Sequence, residues 1–108
     1  MKHMIWLTYD LGIRGDYEGL HAWLDEHDAK ECGDRVALVK YDAKRDVVKE
    51  LKKDLSDAFT SDRRTRIYLI YLDNATKKLK GTFLFGRRRD APWKGRASGV
   101  GEVDEEDV

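Results

Sequence analysis

The sequence predicts an α+β fold, in which two helices cover one face of an antiparallel sheet. Short runs of apolar, aromatic and β-branched residues, typical of strands, are separated by turns that contain glycine or aspartate. Two longer segments instead place apolar residues at helical spacing, opposite a charged side. The chain has 108 residues, a length that fits one domain with one hydrophobic core.

The first half of the chain predicts a strand, a helix and a small hairpin. Residues 3–10, HMIWLTYD, are nearly all apolar or aromatic, which is typical of a central strand. Asp16 is predicted to cap a helix over residues 17–28, because a carboxylate at that position accepts hydrogen bonds from first-turn amides. A Gly-Asp turn pair then joins a short arm, residues 29–32, to a clear strand, residues 35–41.

The second half predicts one helix and two further strands. Residues 44–59 place valine, leucine and phenylalanine on one side and charged residues on the other. Residues 66–73, RIYLIYLD, read as a strand, and residues 79–86, LKGTFLFG, as its return strand. The order β-α-β-β-α-β with one more strand is the split pattern of the ferredoxin-like fold. Because the helices would cover one sheet face and leave the other for a partner, we expect a homodimer.

The C-terminal quarter of the chain separates its charges into two blocks. Residues 86–96, GRRRDAPWKGR, hold five bases against one acid, and residues 102–108, EVDEEDV, hold five acids. We therefore predict a ferredoxin-like domain over residues 1–86. Residues 87–108 are predicted to form a basic segment followed by a flexible acidic tail.

The last strand leads into candidate nucleic-acid contacts. We expect Leu79, Phe83 and Phe85 to share one face of this strand, and Arg87–Arg89 to extend it. Arginine binds phosphate through two parallel hydrogen bonds, and tryptophan stacks on bases. The candidate residues are Arg87, Arg88, Arg89, Trp93, Lys94 and Arg96. The alternative, a solvated strand extension that blocks sheet-to-sheet aggregation, stays open.

The element order and several short motifs resemble a known superfamily. The first strand ends in YDL, residues 9–11, and a short loop leads to DYEGLHAWL, residues 16–24. RDVVKELKKDL, residues 45–55, and DRRTRIYLI, residues 62–70, follow. This pattern is similar to the group that unites the second nuclease subunit of CRISPR adaptation complexes, the VapD toxins and the SinR-like proteins. The resemblance covers roughly residues 4–72.

The resemblance implies a homodimer whose two-fold cleft holds the aspartate that ends the first strand. In that group this aspartate is associated with metal-dependent phosphodiester cleavage, and the matching residue here is Asp10. Asp16 is the candidate second ligand for Mg²⁺ or Mn²⁺. The resemblance also implies RNA or DNA as the partner, and a protein partner from a defence or toxin–antitoxin operon.

Other interpretations of these residues and of the chain stay open. Asp10 can simply close a strand by accepting hydrogen bonds from loop amides, and Asp16 can serve only as a helix cap. The protein can also be a non-catalytic dimeric scaffold or binding module of the same fold. A third alternative is a sensor of nucleotides or small ligands, since such folds host many functions.

Several classes of protein find no support in the sequence. The single cysteine, Cys32, forms no intramolecular disulfide, and we expect it to be half-buried. No P-loop, dinucleotide-binding or serine-histidine-acid motif is present. No apolar run approaches the ~18 residues of a membrane span, and no signal peptide is visible. We therefore expect a cytoplasmic protein without membrane association.

Overall fold

The computed structural model describes residues 1–97, which form one five-stranded antiparallel sheet and two helices. In chain order the elements are β1 (Lys2–Asp10), α1 (Tyr17–Glu26), β2 (Lys30–Glu31), β3 (Val36–Asp42), α2 (Val47–Ala58), β4 (Arg66–Asp73) and β5 (Lys78–Phe85). The strand order is β2-β3-β1-β4-β5, and every neighbouring pair is antiparallel. The predicted α+β class is confirmed, and the arrangement is compatible with a ferredoxin-like fold.

Alternate residues of the strands bury one face of the sheet. Ile5 and Leu7 of β1 and Leu69 of β4 are at most 1% exposed. Leu20 of α1 and Leu51 of α2 belong to the same core cluster. Because successive side chains of a strand point to opposite faces, both helices pack on this covered face, and the intervening residues form an uncovered face.

Both helices are shorter than the sequence pattern predicts. α1 ends at Glu26, two residues early, because Asp28 has a φ of 53° and a helix cannot continue through that left-handed conformation. α2 begins at Val47, three residues late, because the side chain of Asp46 accepts hydrogen bonds from two first-turn amides. Within residues 1–97, neither helix is long and apolar enough to cross a membrane.

The face of β5 changes at a β-bulge. Leu84 is an extra residue in the pairing of β5 with β4, and its side chain is buried. The bulge turns Phe85 to the covered face, where its ring centroid lies 5.5 Å from that of Phe59. Leu79 and Phe83 stay together on the uncovered face. The prediction that all three residues share a face is therefore wrong for Phe85.

β5 ends before the basic segment rather than running into it. Gly86 has a φ of +76°, and a Cβ there would lie 2.7 Å from the carbonyl oxygen of Thr65. The chain therefore makes a turn that favours glycine, and Arg87–Arg89 lie outside the strand instead of extending it. Cys32 is exposed rather than half-buried, because the adjoining β2 is only two residues long and lies at the sheet edge.

The buried core lies within the part of the chain that was predicted to form the domain, residues 1–86. Every residue of the buried core cluster lies between Ile5 and Leu84. Residues 87–97 contain turns but no helix or strand. The acidic tail predicted for residues 102–108 lies outside the described residues.

Candidate functional site

Antiparallel pairing brings arginine-bearing segments together at one end of the sheet. The end of β1 lies beside the starts of β3 and β4, and the end of β5 also lies beside the start of β4. Asp10, the last residue of β1, pairs with Arg66, the first residue of β4. Arg35 directly precedes β3, and Arg87 follows β5 by two positions. Segments that are distant in sequence therefore meet at what we call the arginine end.

A cleft of about 910 Å³ opens at the arginine end. Six of its lining residues are arginines, and Asp10 is the acidic residue among them, as far as the described part of the chain shows. The arginines are Arg35, Arg63, Arg64, Arg66, Arg87 and Arg89. We call this site the arginine cleft.

Asp10 both closes β1 and pairs with one arginine of the cleft. Its Oδ1 accepts a hydrogen bond from the Gly12 amide at 3.0 Å and lies 3.3 Å from Arg35 Nη1. Its Oδ2 receives no hydrogen bond from residues 1–97. The strand-closing interpretation therefore describes Oδ1, whereas Oδ2 is free of protein donors in this part of the chain.

The guanidinium groups of the other five arginines of the cleft form no ion pair with a carboxylate among the described residues. Arg66 donates from Nε to the backbone carbonyl oxygen of Arg87 at 3.3 Å. No carboxylate of residues 1–97 forms an ion pair with Arg63, Arg64, Arg87 or Arg89. The cleft therefore holds six guanidinium groups and one carboxylate, and only Arg35 pairs with that carboxylate. This leaves a strong local excess of positive charge.

An aromatic pair lies beside the cleft on the uncovered face of the sheet. The ring centroids of Tyr68 and Phe83 are 4.8 Å apart, with the rings edge to face. Arg88 Cζ lies 5.6 Å from the centroid of Tyr68 and 5.5 Å from that of Phe83. Arg88 is therefore placed over these rings, while Arg87 and Arg89 line the arginine cleft.

Asp16 is the helix cap that the sequence predicts. Its Oδ1 accepts a hydrogen bond from the Gly19 amide and its Oδ2 one from the Thr60 amide, each at 2.9 Å. The bond from Thr60, followed by the bond from Gly19, lowers the pKa of the Asp16 carboxyl. Both oxygens already have protein donors, and Asp16 does not line the arginine cleft. The geometry thus explains Asp16 as a cap and provides no support for its predicted role as a metal ligand.

The other predicted nucleic-acid contacts lie outside the cleft lining. Trp93 is 72% exposed, and Lys94 Nζ lies 3.7 Å from an oxygen of Asp90. The Arg96 amide donates to the carbonyl oxygen of Trp93 within a turn. The structure therefore brings Arg87 and Arg89 to Asp10, but not Trp93, Lys94 or Arg96.

Four arginines of the cleft were missed by the sequence analysis. They are Arg35, Arg63, Arg64 and Arg66. Three of them stand in the run DRRTR, residues 62–66, which ends at the first residue of β4. That run was a usable signal, because a strand paired antiparallel to β1 must start where β1 ends.

The donor atoms of residues 1–97 do not by themselves fit Mg²⁺ or Mn²⁺. Within residues 1–97, no three or more His, Cys, Asp or Glu side chains come together as a ligand group. Asp10 is one carboxylate surrounded by arginines, whereas Mg²⁺ requires an octahedron of oxygen ligands. The neighbouring guanidinium groups also repel a cation. A phosphate anion suits this set of side chains better.

Comparisons with known proteins returned no match to this chain. This holds for family models, for curated proteins and for solved structures. The resemblance to the CRISPR-subunit, VapD and SinR-like group therefore stays a prediction, and function is inferred from the residues of the site.

Proposed function

We propose that this protein binds the phosphate backbone of nucleic acid in the arginine cleft. The observation that carries the proposal is the imbalance of six arginines against one carboxylate. Guanidinium groups bind phosphate oxygens through paired, charge-assisted hydrogen bonds. A polymer with regularly spaced phosphates contacts several of these arginines at once, and binding releases its condensed counterions. A nucleic acid therefore uses the whole cleft, which a single small anion does not.

The setting that we propose is a cytoplasmic homodimer with a ferredoxin-like fold. The order β2-β3-β1-β4-β5 agrees with the split β-α-β pattern extended by one edge strand. Met4, Leu72 and Leu79 are exposed on the uncovered face, away from the arginine end. A second copy of the chain would bury these apolar side chains. The resemblance adds a defence or toxin–antitoxin role with an operon partner.

Metal-dependent cleavage of the bound nucleic acid at Asp10 is the second candidate function. It is favoured by one observation, the Oδ2 atom of Asp10, which receives no hydrogen bond from residues 1–97 although Asp10 lines the cleft. Because the donors of residues 1–97 do not by themselves fit Mg²⁺ or Mn²⁺, this function requires further ligands from outside these residues. This function predicts that substitution of Asp10 abolishes cleavage, whereas phosphate binding predicts that the same substitution tightens affinity.

Asp10→Asn separates binding from cleavage. The substitution removes a negative charge and keeps an oxygen that can accept the hydrogen bond from Gly12. Phosphate binding predicts about fivefold tighter affinity, since a surface charge interaction of about 1 kcal/mol is no longer repulsive. Cleavage predicts that product formation with Mg²⁺ or Mn²⁺ is lost. Fluorescence anisotropy of a labelled oligonucleotide and a gel assay measure the two outcomes on the same protein.

Asp73→Asn is the matched control for this experiment. It makes the same change in charge at the opposite end of the sheet, where Asp73 Oδ2 lies 2.8 Å from Lys80 Nζ. We expect it to leave oligonucleotide affinity unchanged. A wild-type protein that binds no oligonucleotide at low salt, but is stabilised thermally by nucleotides, would overturn the proposal in favour of a sensor.

A further inference from the structure

A second surface adjoins the arginine cleft on the uncovered face of the sheet. A hollow of about 450 Å³ there shares Asp10, Arg35 and Arg66 with the cleft. Its lining also includes Tyr68 and Phe83, whose side chains are half-buried. An aromatic surface therefore continues directly from the phosphate-binding surface.

Two rings and two arginines form the centre of this surface, which we call the aromatic platform: Tyr68, Phe83, Arg66 and Arg88. Arg66 Cζ lies 5.4 Å from the ring centroid of Phe83, and Arg88 Cζ lies over both rings. Arg88 forms no ion pair with a carboxylate of the described residues. A guanidinium group is planar and stacks on nucleobases as it does on aromatic rings. A base can therefore lie on these rings beside Arg88 or in its place.

The position of Tyr68 depends on the absence of a side chain at Gly81. Ile70 pairs with Gly81 and Tyr68 with Phe83, so Tyr68 lies one row from Gly81 on the same face. A Cβ at Gly81 would lie within 3 Å of three atoms of the phenol, including its hydroxyl oxygen. The phenol therefore lies across β5 where glycine leaves space. Its hydroxyl makes no hydrogen bond to any residue in the described part of the chain.

The rings of the platform lie about one nucleotide unit from the row of the sheet that holds Asp10 and Arg66. Thr8 pairs with Tyr68 and Asp10 with Arg66, so the ring row is two residues from the arginine row. Two strand residues span about 7 Å. In a nucleotide, the sugar separates the base from its phosphate on a similar scale. In a duplex the faces of the bases are covered by their neighbours, so only an unpaired base can stack on a protein ring.

We propose that the aromatic platform stacks an unpaired nucleobase while the arginine cleft binds the adjacent phosphates, so that the ligand is a single-stranded nucleic acid. This inference rests on the proposed function, because it names the class of nucleic acid that the same site takes. The rings provide contact with any base, since every base has a flat face. The protein is thus expected to discriminate strandedness more than sequence.

The test compares three labelled probes with wild-type protein and three variants. The probes are a single strand of about 12 nucleotides, a duplex of equal length, and an abasic strand that keeps only sugar and phosphate. Tyr68→Leu removes one ring, and Gly81→Ala displaces that ring without removing it. Tyr71→Leu is the matched control, because it removes the same ring from the same strand, and Tyr71 lines neither the cleft nor the hollow. Fluorescence anisotropy measures affinity, and thermal melting verifies the fold.

We expect wild-type protein to bind the single strand more tightly than the duplex or the abasic strand. Tyr68→Leu and Gly81→Ala should each weaken single-strand binding about tenfold, the scale of one stacked base. Neither should change affinity for the abasic strand, and Tyr71→Leu should leave the affinities for all three probes unchanged. If Tyr68→Leu does not fold, Gly81→Ala gives the same comparison by itself.

Three results would overturn the inference and leave phosphate binding intact. One is that wild-type protein binds the duplex as tightly as the single strand, or more tightly, and that both affinities depend on salt to the same extent. Another is that Tyr68→Leu and Gly81→Ala weaken the affinity for the single strand and the abasic strand equally, or do not weaken either affinity. A change in sedimentation of Tyr68→Leu without a change in affinity would also overturn it, by assigning the rings to a protein interface. Failure of every probe to bind would instead overturn the proposed function.

Discussion

The two ends of the sheet hold their charged groups in different ways. At the end where β1 starts, the N-terminal ammonium lies 3.0 Å from Asp42 Oδ1, and Lys80 Nζ lies 2.8 Å from Asp73 Oδ2. We call this the paired end. The hydrogen bond from the N-terminus lowers the pKa of Asp42, and the one from Lys80 lowers the pKa of Asp73. At the arginine end, six arginines line a cleft that holds one carboxylate, that of Asp10.

This difference is the reason for proposing an anionic ligand at the arginine end. Ion pairs within the chain balance their own charges and attract an outside anion only weakly. Clustered like charges repel one another and reduce the stability of the folded chain, unless a bound anion compensates them. A local arrangement that opposes stability is expected at functional sites. The proposed anion therefore belongs at the arginine end, and the proposed contact with a second copy belongs at the exposed apolar residues nearer the paired end.

Charge reversal at the arginine end should have the largest effect. Replacing Arg87 and Arg89 with glutamate removes two charge-assisted contacts, each worth about 1.5–3 kcal/mol, and adds repulsion. We expect oligonucleotide affinity, measured by fluorescence anisotropy, to fall at least about a hundredfold. The control replaces Lys49 and Lys52, which are exposed on α2, with glutamate. Equal losses in both double variants would show that net charge matters and the cleft does not.

An effect of intermediate size is expected at the apolar part of the uncovered face. Leu79 is 66% exposed, and Leu79→Glu places a carboxylate where the second copy is proposed to pack. We expect the dimer Kd, measured by sedimentation velocity, to rise at least about tenfold. Trp93→Glu is the comparison, since it changes an exposed apolar residue elsewhere and should leave the Kd unchanged. A wild-type chain that sediments as a monomer at all accessible concentrations would contradict the dimer.

The smallest effect concerns the pH dependence of the paired end. The pKa of Asp73 is lowered, first by Lys80 and then by Thr76 and the Ala75 amide, so its charged form is stabilised in the folded state. The contribution to stability is present above the ordinary value of 3.8 and is lost as pH falls through the lower folded pKa. Asp73→Asn should therefore lower Tm at neutral pH by about 2 °C and have little effect near pH 2. A shift of equal size at both pH values would indicate lost packing instead.

Sequence periodicity was a good guide to the elements and a weaker guide to their ends. All seven helices and strands were predicted in order, including the short arm before β3. The start of α1 was predicted, but the end of α1 and the start of α2 were missed, because they depend on one backbone conformation and on a few side-chain hydrogen bonds to backbone amides. Glu50, for example, accepts hydrogen bonds from the amides of Lys44, Arg45 and Asp46, which holds these residues outside α2. The bulge at Leu84 was equally invisible, because one extra residue leaves the composition of a strand unchanged.

The candidate site was only partly predictable. Asp10 was singled out as the end of a strand, and Arg87 and Arg89 as basic contacts, but nothing in the spacing linked them. The arginines of residues 62–66 were not predicted to contact a ligand. The aromatic pair of Tyr68 and Phe83 was assigned to strands and not to a surface, because a period of two does not tell which sheet face the helices cover.

Local chemistry in the chain determines its helices, its strands and the cap at Asp16, because these depend on short-range hydrogen bonds and on the repeat of apolar residues. The arginine cleft is decided by tertiary structure alone. Its arginines come from the segments before β3 and β4, from the first residue of β4 and from the segment after β5. They meet Asp10 because antiparallel neighbours alternate direction. The net charge of the whole chain is zero, yet six arginines line a cleft with one carboxylate at one end of the sheet, whereas two ion pairs lie at the other.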